Sequence, residues 1–288
     1  MSEAKYKTTE YKVEKDNLFA WLYDMVEKNA KDLGLDIEKE AIKVAFLVDS
    51  DDPNLRYSKN DIAMKFDTKT LYVGIGFRTK LSEAVKNPDN VDSALQGFIR
   101  HELQHYKDFK GGYYDLLMLP GMGEPIAQFL YSDEIRKLRR VGECRADSVS
   151  AGNDEFIEFH KNNNFFYNSD IIYTPSTHPS GSDRMRSLMI QSYIKEHTKS
   201  EANPNGIELT PDYVEFNERC QFSIINKDKL HAIPAEVLIE GYNKAERNVP
   251  KHIHHSLPEE VGRVFSVPSV PLKPKAKQNW DARKGMEP

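Results

Sequence analysis

Cysteine is scarce: Cys144 and Cys220 are the only two in 288 residues. Two cysteines exclude a disulfide scaffold and fit a reducing compartment. Long apolar runs are lacking as well. No window approaches eighteen consecutive apolar residues, which excludes an integral membrane segment of the helical kind. The opening residues, Met1-Ser2-Glu3-Ala4-Lys5-Tyr6, have no apolar stretch of the signal-peptide type. These absences together give the expectation of a soluble, cytoplasmic protein. Nor is positive charge in excess. Lys and Arg number 40 against 45 Asp and Glu, and the net charge of −5 argues against a general nucleic-acid binder. Hydrophobic residues make up 39% and charged residues 30%. A chain of this length can bury a sizeable core, in one large domain or two small ones.

The segment that carries chemistry is His101-Glu102-Leu103-Gln104-His105. On a helix, residues four apart lie one above the other on the same face. His101 and His105 can then each give a ring nitrogen to one Zn²⁺, with Glu102 beside the metal as a proton acceptor. A helical histidine pair can equally be an ordinary solvated or core-edge feature, so a third ligand has to come from elsewhere. The flanks favour a helix: Ala94, Leu95, Phe98, Ile99 and Leu103 recur at helical spacing, and Asp92 or Ser93 can cap the start. Glu124 is the next candidate for that ligand should Glu143, farther along the chain, not supply it.

Around this segment, residues 1–15 read as a flexible N-terminus and 15–33 as an amphipathic helix stopped by Gly34. Residues 42–48, 62–66 and 70–77 read as strands, the last two joined by an Asp67-Thr68-Lys69 turn as a hairpin. A short helix is expected over 81–85. A small sheet beside a histidine-bearing helix suits an extended substrate pairing with a sheet edge, and equally a sheet that only covers the core. Lys110-Gly111-Gly112 ends the central helix. Pro125 opens a helix through Phe129, and a second long helix is expected over 132–151.

That second helix carries Glu143 and Asp147, four apart and on one face. Two readings fit. A cation could separate the carboxylates, with Glu143 on the metal and Asp147 accepting a hydrogen bond from a ligand histidine. Alternatively they form a solvated acidic pair beside Arg139, Arg140 and Arg145. Cys144 points off the ligand face and reads as a packing residue. Farther on, Pro179 and Gly181 place His178 on a turn before a helix over 183–194. A histidine there is by itself no more than a structural or exposed group.

The three pieces in order resemble the gluzincin metallopeptidases that include the type I CAAX prenyl proteases, the HtpX-type heat-shock proteases and the Oma-type mitochondrial peptidases. The resemblance rests on His101-Glu102-Leu103-Gln104-His105, then Glu143-Cys144-Arg145-Ala146-Asp147, then Thr177-His178-Pro179-Ser180 with Arg184. It covers about residues 42–194, and only the motifs match closely. It implies one zinc ion per chain held by His101, His105 and Glu143, with Glu102 as general base. It further implies His178 as an oxyanion stabiliser, Asp147 as a supporting group behind a ligand, and Arg184 as support for that loop or shell. Gln104 stands where many members have glycine, and the membrane helices of the best-known members have no counterpart here. The substrate is then a protein or peptide rather than a membrane-embedded one. A metzincin reading fails, because its longer motif needs glycine at Asp108 and histidine at Gly111.

The expected fold is α+β and helix-rich, a zincin-like metallopeptidase over residues 16–202 with its active-site helix on a small β-sheet. Residues 203–262 form a C-terminal accessory segment packing on it, and the proline- and lysine-bearing tail, 263–288, reads as disordered. The histidine-rich Lys251-His252-Ile253-His254-His255 lacks a partner spaced to complete a second metal site. The expected function is zinc-dependent endopeptidase. The alternative is a non-enzymatic binding protein, a pseudo-peptidase or one with a structural metal. A structural site is usually closed by four Cys or His ligands and would leave Glu102 without purpose.

Overall fold

The computed structural model describes residues 17–47, 61–74, 76–84, 90–118, 132–162 and 178–248, and the architecture there is α+β, rich in helix, with a small mixed sheet. These residues all belong to one unit ending at Lys251. The expected helix over 125–129, the segment 251–255 and the tail lie outside the described residues, as do 1–16.

Helix α1, Asn17–Asp32, buries Leu22, Met25, Val26 and Ala30 at helical spacing and stops at Gly34, whose φ of +75° is readily adopted only by glycine. A single turn, α2, Ile37–Glu40, leads into the sheet. Strands β1 (Lys43–Leu47), β2 (Ile62–Lys65) and β3 (Thr70–Gly74) take the order β1-β3-β2, parallel between β1 and β3 and antiparallel between β2 and β3. The hairpin turn at residues 67–69 is present, with Lys69 at φ +52°. The third strand is shorter than its apolar run suggested. Phe77 opens α3, Phe77–Ala84, instead of ending β3, and packs edge-on to Phe98 at 5.0 Å between ring centroids. A short apolar run fits either element, and here burial of Phe77 on the helical core decides.

Helix α4, Val91–Lys110, is the centre of the core. Its Ala94, Leu95, Ile99 and Leu103 are almost wholly buried, and it meets α1, β2 and two later helices, α6 (Ser132–Ser148) and α7 (Asp154–Asn162). Asp92 and Ser93 do not cap it. Asn90 stands at the cap position without a side-chain cap bond, and both Asn90 and Ser93 bond the Glu155 carboxylate of α7, at 2.7 and 2.8 Å. A charged tertiary acceptor has displaced the local cap. Gly97 is where α4 and α7 touch: a Cβ there would come within 2.7 Å of Phe156. Gly111 and Gly112 reverse the chain into the short α5, Asp115–Met118.

Helix α6 ends at Ser148, before the expected 151, because the chain turns through Gly152 at φ +85°. Helix α8, Gly181–His197, is capped by Ser180, whose hydroxyl accepts from the Asp183 N–H. The hairpin β4 (Val214–Phe216) and β5 (Phe222–Ile224) and helices α9 (Lys227–Ala232) and α10 (Ala235–Asn248) follow. They build a second apolar cluster, in which Ile207, Leu209, Val214 and Ile233 surround Ile194 of α8.

Cys144 is not a packing residue. It forms a disulfide with Cys220, tying α6 to the turn of the β4–β5 hairpin across 76 residues of sequence. Disulfides persist in oxidising environments, so this bond bears against the reducing compartment that the low cysteine count suggested. It removes freedom chiefly from the unfolded chain, and a loop of this length makes it worth about 2–5 kcal/mol. Cys144→Ala with Cys220→Ala should therefore unfold at clearly lower urea than the oxidised wild type. A urea midpoint that neither the substitutions nor a reductant moves would show that the bond does not form in solution.

Candidate metal centre

His101 and His105 face the same way from α4, with ring centroids 4.7 Å apart and their Nε2 atoms 3.1 Å apart. From α6, Glu143 reaches between them. Its Oε2 lies 3.5 Å from His101 Nε2 and its Oε1 lies 3.4 Å from His105 Nε2. One donor atom from each of the three side chains lies within 4.8 Å of the others. The histidine side chains are 8% and 12% exposed and that of Glu143 is 15% exposed. The solvated-pair reading of Glu143 and Asp147 is thereby overturned: Asp147 is 3% exposed, and Arg145 pairs with Asp108 of α4 instead.

The donor set fits a metal. Two imidazole lone pairs and a carboxylate converging in a buried space repel one another unless a cation sits among them. Ligands bound to one ion at about 2.0–2.2 Å in a tetrahedron stand about 3.3–3.5 Å apart, close to the separations found here. Burial alone would push the His101 imidazole down, but the carboxylates of Asp147 and Glu143 outweigh it and raise the group to about 10. Burial likewise opposes ionisation of Glu143, yet His105 and His101 hold its carboxyl well below the usual range. The His101, His105 and Glu143 cluster could hold a metal ion.

Each ligand is backed by a further group. His101 Nδ1 lies 2.9 Å from Asp147 Oδ1, a bent contact rather than a straight hydrogen bond. Asp147 in turn accepts two 2.7 Å bonds from the Arg184 guanidinium of α8. Against the cost of burial, Arg184 and His101 hold the Asp147 carboxyl below its ordinary 3.8. Arg184 also stands 3.6 Å from Glu143. On the other histidine, Nδ1 of His105 is 3.0 Å from the Tyr114 hydroxyl.

Glu102 lies on the same helix but outside the ligand trio. Its Oε2 accepts a 2.9 Å bond from the Met64 N–H of β2. Burial pushes its carboxyl up, partly offset by His101 and His105, the direction that suits a group exchanging protons near neutrality. His178 stands at the mouth, its side chain 48% exposed and its Nε2 3.4 Å from Glu143 Oε1, outside the ligand trio. Partial burial, with the nearby Arg184 and histidines, holds its imidazole below the ordinary value.

All seven residues singled out in the sequence (His101, Glu102, His105, Glu143, Asp147, His178 and Arg184) thus meet at one place. Two participants carried no sequence signal: Tyr114 follows a chain reversal, and Met64 contributes only its backbone. Gln104, inside the motif, donates to Asp108, which Arg145 grips with two 2.8 Å bonds. Arg145 thereby locks α6 to α4 beside the site. No helix among the described residues is long and apolar enough to cross a membrane. Comparison with protein-family models, curated proteins and solved structures returns no match.

Proposed function

We propose that this chain is a zinc-dependent metalloendopeptidase of zincin-like architecture, related to the gluzincins that its motifs resemble. One observation carries the reading: three convergent donors from two helices, with an uncoordinated carboxylate, Glu102, next to them on the ligand helix. Three protein ligands leave a position open, as a catalytic zinc site requires. Zinc bound there would supply a Lewis acid that acidifies a water and polarises a scissile carbonyl.

The remaining work falls to the chain itself. Glu102 accepts the proton of the attacking water and passes it to the leaving amine. Its bond from Met64 N–H fixes the carboxylate in place for this transfer. His178, at the mouth, donates a hydrogen bond to the oxyanion as charge develops on it. Asp147 and Arg184 keep the His101 ring oriented. The substrate is a protein or peptide in extended form. β2 is an edge of the sheet among the described residues, and the alternation of an antiparallel pair directs the backbone groups of Ile62 away from β3, where a substrate strand can add.

The test is the metal content of purified protein beside His105→Ala prepared identically. About one zinc per chain is expected in the wild type, and its loss in the variant. Wild-type protein that takes up no metal when zinc is offered would overturn the reading in favour of a metal-free binding protein. Zinc-loaded protein that cleaves no unfolded substrate would favour a structural or binding role for the centre.

A further inference from the structure

We propose that Tyr114 is a positioning residue for the metal centre, fixing the tautomer and orientation of His105 through its hydroxyl. The inference rests on the metal-centre reading above and extends it to a residue outside the three motifs. Tyr114 lies beyond the Gly111–Gly112 reversal that ends α4, and that reversal folds it back against the last turns of the helix. Its hydroxyl stands 3.0 Å from His105 Nδ1, the nitrogen on the far side of the ring from Glu143 and His101. A histidine that binds a metal through Nε2 carries its proton on Nδ1, and that N–H needs an acceptor when buried. The Tyr114 oxygen is the acceptor in place. His101 is served on the same side of its own ring by Asp147, so each ligand histidine has its own support.

Two further observations show that the hydroxyl is held at this point. Tyr114 is 6% exposed, and its ring stacks on Phe66 at the end of the β2 strand and meets Tyr113 edge-on, with centroids 5.9 and 5.1 Å away. These contacts leave the ring little freedom to move. Opposite, Gly142 of α6 makes room for the phenol: a Cβ at that position would collide with the Tyr114 hydroxyl. A glycine in the middle of a helix costs about 1 kcal/mol relative to alanine. Here it stands immediately before the ligand Glu143, at a place where a larger residue would push the hydroxyl off His105. The group at His105 Nδ1 is a hydroxyl and the group at His101 Nδ1 is a carboxylate. The two histidines are therefore supported unequally, one by a carboxylate and one by a phenol.

The experiment is zinc affinity by chelator competition for wild type, Tyr114→Phe and Gly142→Ala, with thermal unfolding of the metal-free forms measured alongside. Tyr114→Phe keeps the ring and removes only the oxygen, so its metal-free melting should fall by no more than the loss of one buried hydrogen bond allows while zinc binding weakens about 10- to 100-fold. Gly142→Ala keeps the hydroxyl but displaces it, and should weaken zinc in the same direction. Proton NMR of the zinc-loaded proteins adds a readout that a packing role would not move. The His105 ring N–H, protected from exchange in wild type, should exchange rapidly in Tyr114→Phe while that of His101 stays protected. Wild type that binds zinc, with Tyr114→Phe within twofold of it and the His105 signal unchanged, overturns the role of Tyr114 alone. Wild type that binds no zinc overturns the metal centre and this inference with it. Should Tyr114→Phe fail to fold, the affinity of Gly142→Ala and its His105 signal decide.

Discussion

Glu102→Gln should retain one zinc per chain and lose at least about 100-fold in turnover, the scale of a lost general base. The two effects separate because Glu102 is not among the convergent donors. The amide keeps the size of the carboxylate, and its carbonyl oxygen can still accept the Met64 N–H that now bonds Glu102 Oε2 at 2.9 Å. Edge strand and helix should therefore stay in register, leaving proton transfer as the property removed. The measurement is turnover of an unfolded protein substrate by zinc-loaded wild type and variant at equal metal content. Turnover within tenfold of wild type would remove Glu102 from the role of base. A variant that lost its zinc as well would make Glu102 part of the metal shell.

The second large effect concerns stability. Arg184 is 4% exposed and forms a bidentate pair with Asp147, itself 3% exposed. Removing one member of such a pair strands the other charge in a poorly solvated place, at a cost of about 3–5 kcal/mol. Arg184→Ala should show that loss in urea unfolding of the metal-free protein. Arg184→Met combined with Asp147→Asn, which removes both charges of the pair together, should lose less. The pH dependence has a definite sign. Because the folded Asp147 carboxyl lies below its ordinary 3.8, its contribution is present above that value and is lost as pH falls toward the folded one. Arg184→Ala should flatten this acid limb of the stability profile. A loss below about 1 kcal/mol, with the acid limb intact, would mean that the pair contributes no more than a surface one.

Much of the site was legible in the sequence because it is helical, and a helix fixes which residues share a face. His101 and His105, and Glu143 with Asp147, are each one turn apart, and both pairs point as that spacing requires. The mixed α+β character was legible too, from the alternation of apolar runs and turn residues before α4. What the sequence did not show depends on distance along the chain. Met64 meets Glu102 across 38 residues, through a backbone atom that every residue but proline possesses. Tyr114 meets His105 only because two glycines reverse the chain between them. The disulfide joins cysteines 76 residues apart, and a pair so separated has no local signature. Helix ends failed for a different reason: Asn90 and Ser93 found a better partner in Glu155 than the end of their own helix offered.

The short run from Glu143 to Asp147 has a consequence for how variation there combines. Successive side chains on a helix point about 100° apart, and four of these five are each committed to a tertiary contact, between them with α4, α8 and the β4–β5 hairpin. Glu143 meets the histidines, Cys144 the β4–β5 hairpin, Arg145 α4, and Asp147 both α8 and His101. The helix is thus anchored over about 200° of its circumference within little more than one turn. It cannot roll to accommodate a change on one side without pulling on the others. Paired substitutions in this run should then depart from additivity, since each site answers for the geometry of the rest. An inserted residue would rotate everything beyond it away from all of its partners at once.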